Sequence, residues 1–279
     1  MLSRLFGRRA SAPKPRTHFE IEAYIDLVLT LRRKGARFAL LDAKQIADAE
    51  AQHLHFIKHD IHHDLENTLL MAEAEVRIGL KTNYFFMHRN KINEKYFDKP
   101  DTWRTLRSIR DMGHLVGMHI DAFSLIEQVG DLYKGVAHAR ELFLAEDIDP
   151  RIGNTHGNSG YRARLKFESV DFYREFAGSN NCEDPFWRQH HGRYSLAEMG
   201  FEAWGDTNFW TKATGRYLPR YFVSDNSRSL TSYDLPDHKW QITTPQFEIP
   251  KSFSRALAKV ISHGSCVYLV HPQFFRPRA

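Results

Sequence analysis

The sequence predicts an α/β protein built on a parallel sheet, and three observations carry that expectation. Short apolar runs alternate with segments whose apolar residues recur at helical spacing, and the links between them are short. The 279 residues, 42% hydrophobic and 13% aromatic, suffice for one large core, and α/β barrels of about 250 residues are common. Polar clusters rich in His and Asp follow one apolar run after another, where α/β folds bind their ligands.

In chain order, residues 1 to 17 are expected to be a flexible basic arm and residues 18 to 279 a single domain. Ile21, Tyr24, Ile25, Leu27, Val28 and Leu31 predict a helix ending near Gly35. Leu54-His55-Phe56-Ile57 predicts a strand. Leu65, Leu69, Ala72 and Val76 predict a helix stopped by Gly79. Thr82 to Phe86 is expected to be a second strand, Trp103 to Met112 a helix closed by Gly113, and Leu115 to Met118 a third strand. Leu125 to Leu144 is expected to be mostly helical. In the second half, strands are expected near Arg151-Ile152, Phe201–Ala203, Tyr221–Val223 and Cys266–Val270. Helices are expected near Arg164–Phe176 and Ser252–Ser262. Residues 205 to 245, rich in Asn, Ser, Thr and aromatics, otherwise read as long loops over one face.

Lys and Arg number 39 against 34 Asp and Glu, a net charge of +5. Arg4, Arg8, Arg9, Lys14 and Arg16 lie in the first 17 residues with no acid beside them, so the rest of the chain is formally neutral. A nucleic-acid module needs a basic excess in its body, and this one has none. The arm itself reads as solvated; its second reading is weak contact with an anionic surface. No run approaches the ~18 apolar residues of a membrane-spanning helix. The first residues lack the apolar segment of a secretory signal, and Cys182 and Cys266 do not make a disulfide framework, so a cytoplasmic setting is expected.

Sixteen histidines are a high count, and they point to metal or proton chemistry. Lys58-His59-Asp60-Ile61-His62-His63-Asp64 follows the first strand, with Asp64 placed to cap the next helix. His119 and Asp121 follow the third strand, and His114 lies at its opposite end. Asn154-Thr155-His156-Gly157-Asn158 follows another strand, and Val223-Ser224-Asp225 ends a further one. Cys266 to Val270 delivers His271, after which Pro272 stops the strand. Neutral imidazole and carboxylate suit zinc and similar divalent ions, and a histidine at the site's edge suits general acid work.

These motifs resemble the polysaccharide deacetylase superfamily, carbohydrate esterase family four with the NodB-homology fold, in its divergent branch with an HDVDH-type first motif. The resemblance runs through His59–Asp64, Glu75, Gly79–Phe86, Gly113–His119 and Leu269-Val270-His271-Pro272, within residues 54 to 274. It implies a distorted (β/α) barrel with about seven parallel strands. It also implies a metal-dependent hydrolase, often using zinc, that removes an N-acetyl group from a saccharide. By this resemblance Asp60 is the catalytic base, His271 the general acid, and His62 and His119 metal ligands. Two positions depart from the pattern. His62 stands where the family has a metal Asp, and Phe123 stands where a second metal His is expected. His156 is the candidate to complete the metal set, with Asp121 and Asp225 behind it. Asp121, Asp225, Asn158 and Trp210 are the expected substrate contacts, the last by stacking on a sugar face. Two rivals remain at this point: a glycan- or partner-binding member of the same fold without activity, and an HD-type metal phosphohydrolase, which would be all-helical.

Overall fold

The computed structural model describes residues 19–87, 99–157, 169–178, 183–206, 208–219, 221–225, 229–234, 239–245, 261 and 264–278. The chain begins with β1 (Phe19–Glu20), α1 (Ile21–Arg33), β2 (Arg37–Ala39), α2 (Ala43–Asp48), β3 (Leu54–Ile61), α3 (Leu65–Arg77) and β4 (Asn83–Met87). It continues with α4 (Pro100–Asp111), β5 (Leu115–Ile120), α5 (Ala122–Val129), α6 (Leu132–Leu144), β6 (Ile152–Thr155), α7 (Pro185–His190) and β7 (Ala203–Gly205). It ends with β8 (Phe209–Thr211), β9 (Gly215–Tyr217), β10 (Tyr221–Ser224), β11 (Ser229–Asp234), β12 (Lys239–Pro245), β13 (Cys266–Val270) and β14 (Phe275–Arg276).

Twelve strands form one mixed sheet in the order β12-β11-β10-β13-β3-β4-β5-β6-β7-β8-β9, with β2 beside the start of β3. The pairings from β10 through β13, β3, β4, β5 and β6 to β7 are parallel. Antiparallel strands flank that run on both sides. This architecture removes the HD-type alternative, because His59 and Asp60 lie on a central strand and not in a helical bundle.

The sheet is curled. Phe56 on β3 and Phe209 on β8 meet with ring centroids 5.2 Å apart. Five strand steps separate them in the sheet order, roughly 24 Å in a flat sheet at ~4.8 Å per step. The inner face is filled by Ala39, Leu41, Phe56, Phe85, Ile152, Ala203, Phe209, Phe222 and Val267, one cluster drawn from strands across the whole sheet. On the other face of β6, Gly153 packs against a second core cluster: a Cβ there would lie 2.5 Å from the Trp204 ring.

Helices cover the outer face. Ile21, Tyr24, Leu27, Val28 and Leu31 of α1 face inward at three- and four-residue spacing and pack with Ile57, Met71 and Tyr268. Asp64 caps α3 as expected, its carboxylate accepting the Asn67 N–H at 3.2 Å. The expected stretch Leu125–Leu144 is two helices, because Gly130 adopts φ 78° and Asp131 then caps α6 by accepting the Lys134 N–H.

The strand expected at Tyr221–Val223 is β10, and the loop expectation for the rest of 205–245 is corrected: β8, β9, β11 and β12 occupy much of that span. Strands paired antiparallel can leave one face to solvent, so they need no continuous apolar run. For the helix expected over Arg164–Phe176, residues 169 to 172 form a short 3-10 turn and the earlier part lies outside the described residues. The helix expected over Ser252–Ser262 also falls outside them, apart from Ile261. So do the arm and Cys182. Among the described residues, no helix is long and apolar enough to cross a membrane.

Candidate metal centre

Parallel strands in register bring their carboxyl ends to one rim. Met87 pairs with His119, His119 with Asn154, Val270 with His59, and Ser224 with Leu269. The residues just past these pairs are therefore neighbours, although more than 160 positions separate Asp60 from Asp225.

His62, His119 and His156 converge there, each offering a ring nitrogen within 4.8 Å of the other two. His62 Nε2 lies 3.1 Å from His119 Nε2. Their rings are stacked at 5.2 Å, and the His156 ring stands edge-on to both at 5.0 and 5.1 Å. Burial pushes the pKa of His62 down to about 2, and repulsion from His119, His156 and His271 adds to the effect. Burial likewise takes His119 down to about 3, against the pull of Asp60. Both rings are thus neutral near pH 7 and carry a lone pair, the form that ligates a metal. Ligand atoms of one tetrahedral zinc stand roughly 3.3 Å apart, so this donor set fits a divalent ion of the zinc type.

Asp60 lies beside the triad and is 4% exposed. Its Oδ1 accepts from Asn154 Nδ2 at 2.6 Å, and its Oδ2 lies 3.3 Å from Lys58 Nζ and 3.8 Å from His119 Nε2. Burial alone would raise its pKa; His119, Lys58, His271 and His62 together hold it far below the usual carboxylate range. Asp60 is therefore an ionised carboxylate with little water around it. The Lys58 ammonium is fully buried and also bonds Asp206 Oδ1 at 2.8 Å. Asp206 follows β7, four strands away in sheet order, and the curl of the sheet brings it to Lys58.

His271 closes the opposite side, its ring 5.4 Å from that of His62. Its Nδ1 donates to Asp225 Oδ1 at 2.6 Å, and its backbone N–H donates to Asp225 Oδ2 at 2.6 Å. Burial would lower the pKa of His271, but the charge and hydrogen bond of Asp225 raise it above the ordinary histidine value. The ring therefore keeps a proton longer than a solvated imidazole does. Asp121 caps α5 through Ser124 N–H and hydroxyl, and its Oδ2 stands 3.5 Å from His156 Nδ1. Burial tends to raise the Asp121 pKa; His156 and Ser124 more than offset it and leave it lowered.

Asp60, His62, His119, His156 and His271 thus come together at one rim. Asp121 and Asp225 arrive there too, Asp121 facing His156 and Asp225 bonded to His271. The expectation for Trp210 is corrected: it is 6% exposed on β8 and packs in the core cluster with Trp204 and Phe201, so burial leaves no open ring face for a sugar. Asn158 lies outside the described residues. Phe123 is a core residue 4.8 Å from the Phe172 ring, and His156 supplies the third nitrogen in its stead. Sequence reasoning gave no role to Lys58, Asn154 or Asp206. The alternation along β3, which puts Lys58 and Asp60 on one face, was the only signal for Lys58.

No protein-family model matches the chain, and no curated protein matches it in sequence. Among solved structures, a family 4 carbohydrate esterase from Streptomyces lividans in complex with acetate overlaps at TM-score 0.33 and 13% identity, covering 80% of this chain and 96% of that one. A mutant of the peptidoglycan deacetylase PdaC from Bacillus subtilis overlaps at 0.33 and 11% identity, covering 80% and 89%. PdaC itself overlaps at 0.29 and 11% identity, covering 82% and 90%.

Proposed function

We propose that this chain is a metal-dependent hydrolase that removes an acyl group, N-acetyl above all, from a saccharide or saccharide precursor. In this reading it is a divergent polysaccharide deacetylase on a distorted (β/α) barrel, with the parallel run from β10 to β7 as its wall. The observation that carries the reading is the convergence of three imidazoles, His62, His119 and His156, beside the ionised Asp60.

The three histidines would hold a divalent ion, zinc by ligand type, and the chemistry such an ion would supply there is Lewis acidity. Asp60, kept ionised by the cationic groups around it, accepts the proton of the attacking water. Asn154 and Lys58 fix its two oxygens. His271, kept protonated by Asp225, gives its proton to the leaving nitrogen as the carbon–nitrogen bond breaks. The products are a carboxylate and an amine.

Metal quantification joined to an acetate-release screen on N-acetylated sugars tests the proposal. The wild type is expected to carry about one equivalent of metal. Asp60→Asn is expected to keep that metal and lose about 10²–10⁴-fold in rate. His119→Ala is expected to lose the metal. Full activity in Asp60→Asn would overturn the mechanism, and a wild type that takes up no metal would overturn the class.

A further inference from the structure

We infer that Asn154 is a positioning residue that couples the metal-holding side of the site to its proton-handling side. The inference rests on the hydrolase reading for its consequence in catalysis, but its geometric basis is independent of any substrate.

Asn154 is the partner of His119 in the β5–β6 register, so the two side chains emerge from the same face of adjacent strands. It is fully buried. Its amide spans two groups: Oδ1 lies 2.6 Å from His119 Nδ1, and Nδ2 lies 2.6 Å from Asp60 Oδ1. The chemistry allows one assignment of protons. Asn154 Nδ2 faces Asp60 Oδ1 while the Lys58 ammonium stands against Oδ2, so the carboxylate is the acceptor and the Asn154 amine the donor. The amide oxygen then faces His119, and because it too only accepts, His119 must carry its proton on Nδ1. The lone pair of His119 is thereby placed on Nε2, the atom that points at His62 Nε2. Reversing the amide would set two oxygens 2.6 Å apart with no proton between them.

One side chain thus fixes the histidine tautomer and the orientation of the carboxylate together. Asp60 Oδ1 is held by Asn154, and Oδ2, which Lys58 also bonds, is the oxygen 3.8 Å from His119 Nε2, on the side of the triad. Partners that orient metal-ligating histidines in this way commonly matter 10–100-fold to metal affinity or activity.

Two variants separate the halves of the role. Asn154→Leu keeps the volume and removes both hydrogen bonds. Asn154→Asp keeps an acceptor for His119 Nδ1–H and sets a second carboxylate against Asp60. Zinc affinity is read by competition with a chromophoric chelator, and the His119 tautomer by long-range proton–nitrogen NMR. Asn154→Leu is expected to weaken zinc binding about 10–100-fold and to leave His119 in mixed tautomers. Asn154→Asp is expected to keep near-wild-type zinc affinity and the Nδ1–H tautomer while kcat falls at unchanged KM. A merely structural Asn154 would change the melting temperature and neither of these readouts.

Wild-type zinc affinity and tautomer in Asn154→Leu would overturn the inference. If that variant does not fold, loss of zinc in Asn154→Asp equal to that in His119→Ala overturns it instead. Unchanged zinc binding in the variants, with normal acetate release by the wild type, sinks the inference and leaves the hydrolase reading standing. A wild type that releases no acetate, while zinc affinity follows Asn154, sinks the hydrolase reading and leaves the coupling of Asn154 to His119 intact.

Discussion

His59 and Asp60 are neighbours in sequence, yet they point to opposite faces of β3 and belong to two histidine–carboxylate clusters of opposite character. On the helix side, Glu75 accepts from His59 Nε2 at 2.9 Å, Thr82 hydroxyl at 2.7 Å, Tyr84 hydroxyl at 2.6 Å and the Tyr24 hydroxyl. His59 gives its other nitrogen to the Val270 carbonyl at 3.1 Å. His114 accepts from Thr82 N–H at 3.1 Å and donates to the Ala72 carbonyl at 3.2 Å. Every imidazole nitrogen there is spent on the protein itself. On the rim, His62 and His119 turn nitrogen toward nitrogen, an arrangement that a shared cation satisfies. The same residue types thus build a structural brace in one place and a candidate ligand site in the other. What separates them is whether the polar valences close within the fold.

Four experiments test whether the two clusters differ in this way, the most damaging substitution first. Glu75→Gln strikes the closed cluster. It removes the carboxylate that faces His59, and breaking a buried pair of this kind costs about 3–5 kcal/mol. The melting temperature is expected to drop on the order of 10 °C while metal content stays unchanged. Loss of metal without loss of stability would erase the distinction between the clusters.

Asp225→Asn strikes the rim. Without the carboxylate, the His271 pKa falls and the ring gives up its proton at lower pH. The alkaline limb of the rate profile is expected to move toward acid, with a loss of at most about 10²-fold in kcat and a lower melting temperature, because Asp225 is buried and holds both the ring and the backbone N–H of His271. An unmoved alkaline limb would remove His271 as the proton donor.

The third experiment is a pH series on the metal-free protein. His62 and His119 are held down at about 2 and about 3, whereas in the unfolded chain they take up protons near 6.5. Between those limits the unfolded state binds more protons, so stability falls as pH drops from about 6.5 toward 3. His271 has the opposite sign: its raised pKa contributes stability that is present below about 6.5 and lost as pH rises through the folded value. His55, His114 and His190 are lowered as well, so the lowered rings outweigh the one raised ring, and the melting temperature is expected to be lower at pH 5 than at pH 7.5, with zinc widening the gap. Equal melting temperatures at the two pH values would show that the rim histidines are not desolvated.

The smallest effect belongs to Asp64, the second acid of the first motif. It caps α3 and pairs with Arg276 at 2.9 Å, away from the proton chemistry assigned to Asp60. Asp64→Ala is expected to cost about 1 kcal/mol of stability by denaturant titration, with metal content and rate unchanged. A rate loss like that of Asp60→Asn would mean that the roles of the two acids had been misassigned.

The rim was legible in the sequence because each strand there ends abruptly, an apolar run giving way to His or Asp. His62, His119, His156 and His271 were marked by that transition alone. Lys58, Asn154 and Asp206 were not. Lys58 reads as an ordinary lysine until Asp206, 148 residues later, is brought to 2.8 Å by the curl of the sheet. Asn154 gains its meaning only from a cross-strand partner 35 residues earlier and a carboxylate 94 residues earlier. The late strands were obscured because antiparallel pairs with one open face tolerate Ser, Thr and Asn.

Local patterning in the sequence sufficed for the order of early helices and strands, the cap at Asp64 and the histidines at strand ends. Those features depend on residues within a few positions of one another. The tertiary structure alone decided which polar groups share protons, since register and curl set distances across tens to hundreds of residues. That is why Asp121 comes to face His156 and Asp225 to bond His271, and why Phe123 lies in the core while the His156 ring joins those of His62 and His119.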